Sequence, residues 1–414
     1  MLRTFNLFLF LLAFSVGLQA QSIKILFDAT KAETAGNADW VIDADQHNLG
    51  YSNGPAVVGQ GNESNAQIVP APVQTGINQS TPETYWKGAL SAWGIDLVKK
   101  GYSVETLPYN GTISYGNSGN AQDLSNYKVF IVCEPNIVFT SAEKSAILHF
   151  VQNGGGLFMV SDHTVSDRNN DGWDSPAIWN DLMTNNTIAN DPFGMTFDLA
   201  NFSETTTNIP ALPNDPLLNG VMGTPVEAMW SNGTSITMNP QHNASIVGVV
   251  YKNGSAFGNS NVMVAHGTYG NGRFVAFGDS SPCDDGTGDS NDQLYNGWTQ
   301  DANGNHELLI MNASIWLASS PANGINLADQ YPPVSFFPNP FQGIGTLKLG
   351  PEVDLAKSSF ELFDASGKII FSMDKFSSHE ITIDLTAFKT GFYYYDLKEA
   401  SKNVKSGKII LCRD

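Results

Sequence analysis

Four short apolar runs in this chain each stop on a side chain that titrates. They are Ile23 to Phe27, closing on Asp28; Tyr127 to Cys133, closing on Glu134; Leu157 to Val160, leading through Ser161 to Asp162 and His163; and Arg273 to Gly278, closing on Asp279. Each run is short and β-rich, which suits a strand buried on both faces. Tyr102 to Leu107 reads as a further strand. Helix signals fall between them. Thr81-Pro82-Glu83 opens a helix expected to reach Lys100 and stop at Gly101. Thr140 to Glu143 offers a capping box for a helix ending near Gln152. Ser175-Pro176 starts another, and Asn305 to Leu317 is the closing helix. Short strands alternating with amphipathic helices predict an α/β fold with a mostly parallel, doubly wound sheet.

The stretch from about Thr196 to Ser260 breaks this rhythm. Its Asn- and Gly-rich turns predict short antiparallel strands, including Ala244 to Tyr251. Asn261 to His266 and Arg273 to Gly278 read as a hairpin turned by Tyr269-Gly270-Asn271-Gly272. Composition shifts again at Tyr331-Pro332-Pro333. Beyond it, Gly345 to Leu349, Ser359 to Asp364, Lys368 to Ser372, Glu380 to Leu385 and Phe392 to Leu397 predict a small all-β sandwich.

The first residues set the compartment. Arg3 precedes an apolar run from about Phe5 to Val16, then Gly17-Leu18-Gln19-Ala20, the pattern of a secretory signal peptide cleaved after Ala20. The run is short of the ~20 apolar residues that span a bilayer, and no later segment is long enough either. The expected organisation is therefore a signal peptide over 1–20, an α/β domain over 21–325, a linker over 326–335 and a β-domain over 336–414. The formal net charge of -19 over 414 residues excludes a nucleic acid held by a basic face. Three cysteines, Cys133, Cys283 and Cys412, are an odd number and do not read as a disulfide framework; Cys133 reads as a core filler.

Two resemblances follow from particular motifs. The C-terminal β-domain, with FFPNPF at Phe336 to Phe341, FDASGKII at Phe363 to Ile370, LTAFKTGFYYYDL at Leu385 to Leu397 and the closing SGKIILCRD, resembles the sorting domain of type IX secretion cargo in Bacteroidetes. That resemblance implies the type IX machinery as a partner, with export across the outer membrane followed by release or attachment at the cell surface. The larger domain, through its strand-helix cycle, GGGLFMVSDH and NGRFVAFGDSS, resembles the class I glutamine-amidotransferase-like α/β fold, of the flavodoxin type. The family's cysteine elbow is replaced here by Ser161-Asp162-His163, and its late His-Glu pair by Gly278-Asp279-Ser280-Ser281. The resemblance therefore implies the fold and speaks against glutaminase chemistry.

In an open parallel sheet, ligands bind beyond the carboxyl ends of the strands. Asp28, Glu134, Asp162, His163 and Asp279 are expected to share that rim. The loop Asp167-Arg168-Asn169-Asn170-Asp171-Gly172-Trp173-Asp174 has oxygen donors at alternate positions before a glycine, as in the first half of a calcium loop. The same pattern also suits a solvated loop of Asx turns. Asp167, Asn169, Asp171 and Asp174, with Asp28, Asp284 and Asp285, are the candidate ligands of a divalent cation, calcium first and zinc or magnesium as alternatives. Glu33, Asp39, Asp43, Asp45 and His47 follow the first strand and can fold over the same rim. Trp40, Glu134, Arg168 and Trp173 are the candidate substrate contacts, and Trp298 is a third aromatic candidate. His266 and His306 read as structural, His306 above all.

These groups compose a hydrolase site. Asp162 or Asp279 orients His163 or holds the metal, His163 is the general base toward water, and the cation polarises the scissile oxygen. No GxSxG elbow, HExxH helix or P-loop fixes the reaction type. The expected function is a secreted, cation-assisted hydrolase of an extracellular polymer or its fragments. The alternative is a non-catalytic surface protein that binds glycan or peptide and uses calcium to stiffen its loops.

Overall fold

The computed structural model describes residues 22–42, 50–51, 56–57, 68–288, 292–319, 335–337, 341–349, 353–364, 368–399 and 402–412. The signal peptide, Asp43, Asp45, His47 and most of the expected linker lie outside the described residues. The chain divides into two compact units, Met1–Ala322 and Asn323–Asp414.

The first unit holds, in chain order, β1 (Lys24–Asp28), the short ribbon β2 (Gly50–Tyr51) and β3 (Ala56–Val57), α1 (Ser91–Lys99), β4 (Ser103–Leu107), β5 (Val129–Cys133), α2 (Ser141–Gln152), β6 (Gly156–Val160), α3 (Ser175–Thr184), β7 (Met195–Thr206), β8 (Ala228–Met238), β9 (Val247–Tyr251), β10 (Val262–Tyr269), β11 (Gly272–Phe277) and α4 (Asn305–Ala318). One nine-stranded sheet runs β4-β1-β5-β6-β11-β10-β8-β7, with β9 added on β10. The strands from β4 to β11 pair in parallel. From β10 outward every pairing is antiparallel. The sheet is thus mixed, where the sequence predicts a mostly parallel one. The cause is local. Tyr269 pairs with Gly272 across two turn residues, and so tight a hairpin can only reverse the chain. Gly270 makes the turn at φ 57°, and a Cβ there would lie 2.5 Å from the Gln152 carbonyl oxygen.

Successive residues of each central strand point to opposite faces, and both faces are apolar. Ile25, Phe27, Val129, Ile131, Phe158 and Val160 share a core with α1 and α4. Leu26, Phe130, Val132, Leu157 and Met159 share the opposite core with α2 and α3. This two-sided demand explains the unbroken apolar runs. Phe158 shows the packing: it is fully buried, with Trp93 of α1 at 4.8 Å and Phe277 of β11 at 5.1 Å between ring centroids. Burying a ring of this size contributes about 1.5–3 kcal/mol.

The helix starts follow different physics. α2 has the expected capping box: Glu143 N–H donates to Thr140 Oγ1 at 3.3 Å, and Thr140 N–H donates to the Glu143 carboxylate at 2.8 Å. α1 does not begin at Thr81. Glu83–Tyr85 forms only a 3-10 turn, Gly88 follows at φ 132°, and the helix starts at Ser91. Its free N-terminal N–H groups are met from far along the chain, with Ala92 N–H donating to Asp285 Oδ2 at 2.7 Å.

The second unit has two antiparallel sheets. β12 (Ser335–Phe337), β13 (Ile344–Lys348) and β16 (Glu380–Asp384) form one, and β14 (Ser358–Phe363), β15 (Ile369–Asp374), β17 (Gly391–Glu399) and β18 (Lys402–Leu411) the other. Leu347, Phe360, Leu362, Ile383, Leu397 and Ile409 make their shared core. The closing segment is mostly strand β18, paired along β17.

Candidate functional site

Strand register brings the acidic groups together. Cys133 pairs with Val160, and Val160 with Phe277, so β5, β6 and β11 end level. The ladder runs one step further, with Glu134 N–H donating to the Val160 carbonyl at 3.0 Å and Ser161 N–H to the Phe277 carbonyl at 2.8 Å. Glu134, Asp162 and Asp279 therefore leave the sheet at one edge. A pocket of ≈390 Å³ opens there, lined by Asp162, His163, Arg168, Ser281, Tyr295 and Trp40 among others.

Glu134 lies beneath this lining, fully buried and at φ 50°. It accepts from Arg168 Nε at 2.5 Å and from Ser280 Oγ at 2.9 Å. Arg168 also donates Nη1 to Asn37 at 2.8 Å, and its Nη2 is 3.9 Å from Asp162 Oδ2. His163 Nδ1 lies 2.7 Å from the Thr164 carbonyl oxygen. A carbonyl only accepts, so Nδ1 carries the proton, and in the neutral ring Nε2 holds the lone pair. That Nε2 is 3.5 Å from Asp162 Oδ2. Asp279 is fixed by backbone N–H groups, Ser231 at 2.5 Å and Ser281 at 2.9 Å. Gly233 is required beside it, since a Cβ there would lie 2.4 Å from the Asp279 Cβ.

Burial governs the protonation of this edge. It pushes the Asp162 carboxyl well above the usual range; the negative charges of Glu134 and Asp279 push the same way, and Arg168 opposes them. Burial lifts Asp279 to about 7 against the stabilising N–H groups of Ser281 and Ser231. Burial therefore favours the protonated form of Asp162, whose carboxyl stands directly beside an imidazole.

The other expected site residues are placed as follows. Asp28 is buried away from the pocket lining. Its carboxylate accepts from Thr30 N–H at 3.1 Å and is lifted by burial to about 6, next to Glu33, which burial and Asp28 raise. The segment after it, from Ala29 to Ile42, is itself largely buried, so Asp28 is not an open ligand. In the expected calcium loop, Asp167 accepts from the backbone N–H groups of Asp171 and Gly172, and Asp171 from Trp173 N–H and Asn169 Nδ2. Asp174 caps α3 through Ala177 N–H at 3.1 Å and also accepts from Val165 N–H. Their oxygens fold the loop on itself as Asx turns, with Asn170 at φ 57° and Gly172 at φ 91°. Asp284 likewise accepts from Gly286 and Tyr295 N–H, and Asp285 from Ala92 and Thr287 N–H. These hydrogen bonds fold the two loops on themselves. Among the described residues, the metal-capable carboxylates that group within 4.8 Å are Glu83, Asp96 and Glu307, where the Lys99 ammonium is already 3.0 Å from Asp96.

Trp40 lines the pocket, but Trp173 does not, and Trp298 is core, stacked on Trp93 at 6.3 Å. His306 accepts from Met229 N–H at Nε2 and donates from Nδ1 to the Gly297 carbonyl, a fully used structural imidazole that burial lowers to about 4. His266 pairs with Asp215 at 2.7 Å. The sequence reading missed Ser231, Asn232, Gln293 and Tyr295 in the lining. Ser280 and Ser281 directly follow Asp279 and were legible by position.

Residues 335–412 match the secretion system C-terminal sorting domain. The chain is exported. Its sorting domain engages the type IX machinery and leads to release or attachment at the cell surface. Among the described residues no helix is long and apolar enough to cross a membrane. No curated protein matches the chain. Solved structures similar to it include the mmIFT52 N-terminal domain (11% identity, 54% of this chain and 88% of that one, TM-score 0.37). A cytoplasmic protein from Salmonella typhimurium is also similar (14%, 71% and 98%, 0.34). So is a ThuA-like protein from Parabacteroides merdae (14%, 72% and 91%, 0.33). Likeness at this level assigns neither activity nor ligand to the exported protein.

Proposed function

We propose that the α/β domain is an exported hydrolase of a polar extracellular polymer or its fragments, working by acid-base chemistry at Asp162 and His163. The observation that carries the reading is this pair facing one pocket, 3.5 Å apart, above buried Glu134 and Asp279. His163 Nε2, with its lone pair set by the Thr164 carbonyl, takes a proton from water. Asp162, whose protonated form burial and its acidic neighbours favour, supplies a proton to the leaving group. Arg168 and the Ser281 hydroxyl orient polar groups of the substrate. A divalent cation enters this reading only as an assisting charge at the acidic rim, with no step assigned to it. The domain is read as glutamine-amidotransferase-like in shape, with Ser161-Asp162-His163 in place of the cysteine elbow and hence without its chemistry.

The test is a hydrolysis screen of the mature protein on chromogenic glycosides, esters and phosphodiesters, with and without chelator. His163→Ala and Asp162→Asn are each expected to lower kcat at least 100-fold with the fold intact by circular dichroism. Turnover unaffected by either substitution would refute the assignment. A wild-type protein that is inert on every substrate yet binds glycan would favour the binding reading, which the polar lining by Asn232, Gln293 and Tyr295 also suits.

A further inference from the structure

We propose that Cys133 and Cys283 are joined by a disulfide in the exported protein. The odd cysteine number concealed this pairing. Cys412 belongs to the sorting domain, which leaves two cysteines in the α/β unit. Both are buried in the same hydrophobic core. Cys133 is the last residue of β5, and Cys283 closes the 3-10 turn Ser281–Cys283 that follows β11. The level ends of β5, β6 and β11 bring these segments together, and the 2.9 Å hydrogen bond from Ser280 to Glu134 joins the residues beside them. Both thiols are free in this structure, and the Cys133 thiol is raised by burial first and by the neighbouring Cys283 next.

Export places this pair where disulfides form and persist. Burial raises the Cys133 thiol, so the finished fold offers little thiolate, and the bond has to form as the chain folds after leaving the cytoplasm. The two thiols lose two protons and two electrons. The acceptor is the disulfide of a periplasmic thiol–disulfide oxidoreductase, which leaves as a dithiol after a mixed-disulfide step. The bridge would close a loop of roughly 150 residues, the long-loop case in which a cross-link most restricts the unfolded chain. It would also tie Glu134 to Ser280 beneath the pocket. None of this depends on the hydrolase reading.

The experiment uses protein exported by its own cells, denatured in acid and alkylated with iodoacetamide without reductant. The expected peptide map shows Cys133 and Cys283 cross-linked and unlabelled, with label on Cys412 where the sorting domain is still attached. Label on both Cys133 and Cys283 would overturn the proposal. As a second measurement, wild-type protein unfolded and refolded in reductant is expected to melt about 5–15 °C lower than the untreated protein. The Cys133→Ala/Cys283→Ala variant is expected to show no such difference. A wild-type Tm that ignores reductant would also overturn it.

Discussion

Replacing Arg168 with methionine is the sharpest test of how the site is held. The substitution keeps an apolar stem of similar length and removes the guanidinium. Glu134 is fully buried and accepts two side-chain hydrogen bonds, from Arg168 at 2.5 Å and Ser280 at 2.9 Å. Without Arg168 a carboxylate is left in the core with one neutral donor. Breaking a buried ion pair from one side costs about 3–5 kcal/mol, because the remaining charge has lost its compensation. At roughly 2–4 °C per kcal/mol for a domain of this class, Arg168→Met should lower Tm by about 6–20 °C at neutral pH. The diagnostic step is the rescue. In Arg168→Met/Glu134→Gln the orphaned charge is gone and an amide oxygen still accepts from Ser280, so more than half of the loss should return. Calorimetry of the mature protein, Arg168→Met, Glu134→Gln and the double variant gives the coupling energy directly. A coupling below about 1 kcal/mol, or a double variant less stable than Arg168→Met alone, would show that Glu134 is not a compensated buried charge, and the account of the pocket floor would fail with it.

Two further outcomes follow from the same buried carboxylates. Asp285→Ala removes the acceptor for Ala92 N–H at the start of α1, so stability should fall by about 1–2 kcal/mol, and amide exchange should quicken in the first turn of α1 while α2, capped locally, is unchanged. The pH dependence has a definite sign. Burial lifts Asp279 to about 7 and Asp284 to about 8, both above an unfolded value of about 3.9. A folded-state value above the unfolded one gives a contribution complete below about pH 4 and lost as pH rises through 7 to 8. Tm should therefore fall between pH 5 and pH 9, and Asp284→Asn should flatten the upper part of that slope; a Tm that rises across this range in thermal scans would contradict the burial argument.

The strands were legible because their code is local. An apolar run buried on both faces needs no knowledge of its neighbours, and the side chain that ends it marks where the chain leaves the core. Parallel pairing then places Glu134, Asp162 and Asp279 at one edge. The capping box of α2 was legible for the same reason, since donor and acceptor lie three residues apart. α1 was not, because its cap, Asp285, arrives from the far side of β11. The Asp167 to Asp174 loop was ambiguous for a different reason. Alternating acidic and amide side chains suit a cation or a run of Asx turns equally well, and only the backbone conformation decides which N–H groups the oxygens meet. Ser231 and Asn232 reach the pocket from the middle of β8, whose place beside β10 is a matter of long-range register.

The burial of so many acids at one edge bears on what the pocket admits. Glu33, Asp28, Glu134, Asp162 and Asp279 are all within the fold, and Arg168 is the guanidinium among them. If all were ionised, the pocket would repel any anionic or electron-rich substrate, and the desolvation cost would rival the stability of a whole domain. Burial resolves both problems by retaining protons. Burial favours the protonated forms of Asp162 and Glu33, lifts Asp28 to about 6 and Asp279 to about 7, and Glu134 is matched by Arg168. The edge is then a set of proton donors with Arg168 and, beside Asp28, Lys31 as cations, and far less negative than its composition suggests. A protein of formal charge -19 can in this way line a pocket with hydrogen-bond donors, and it is burial that favours the protonated form of Asp162.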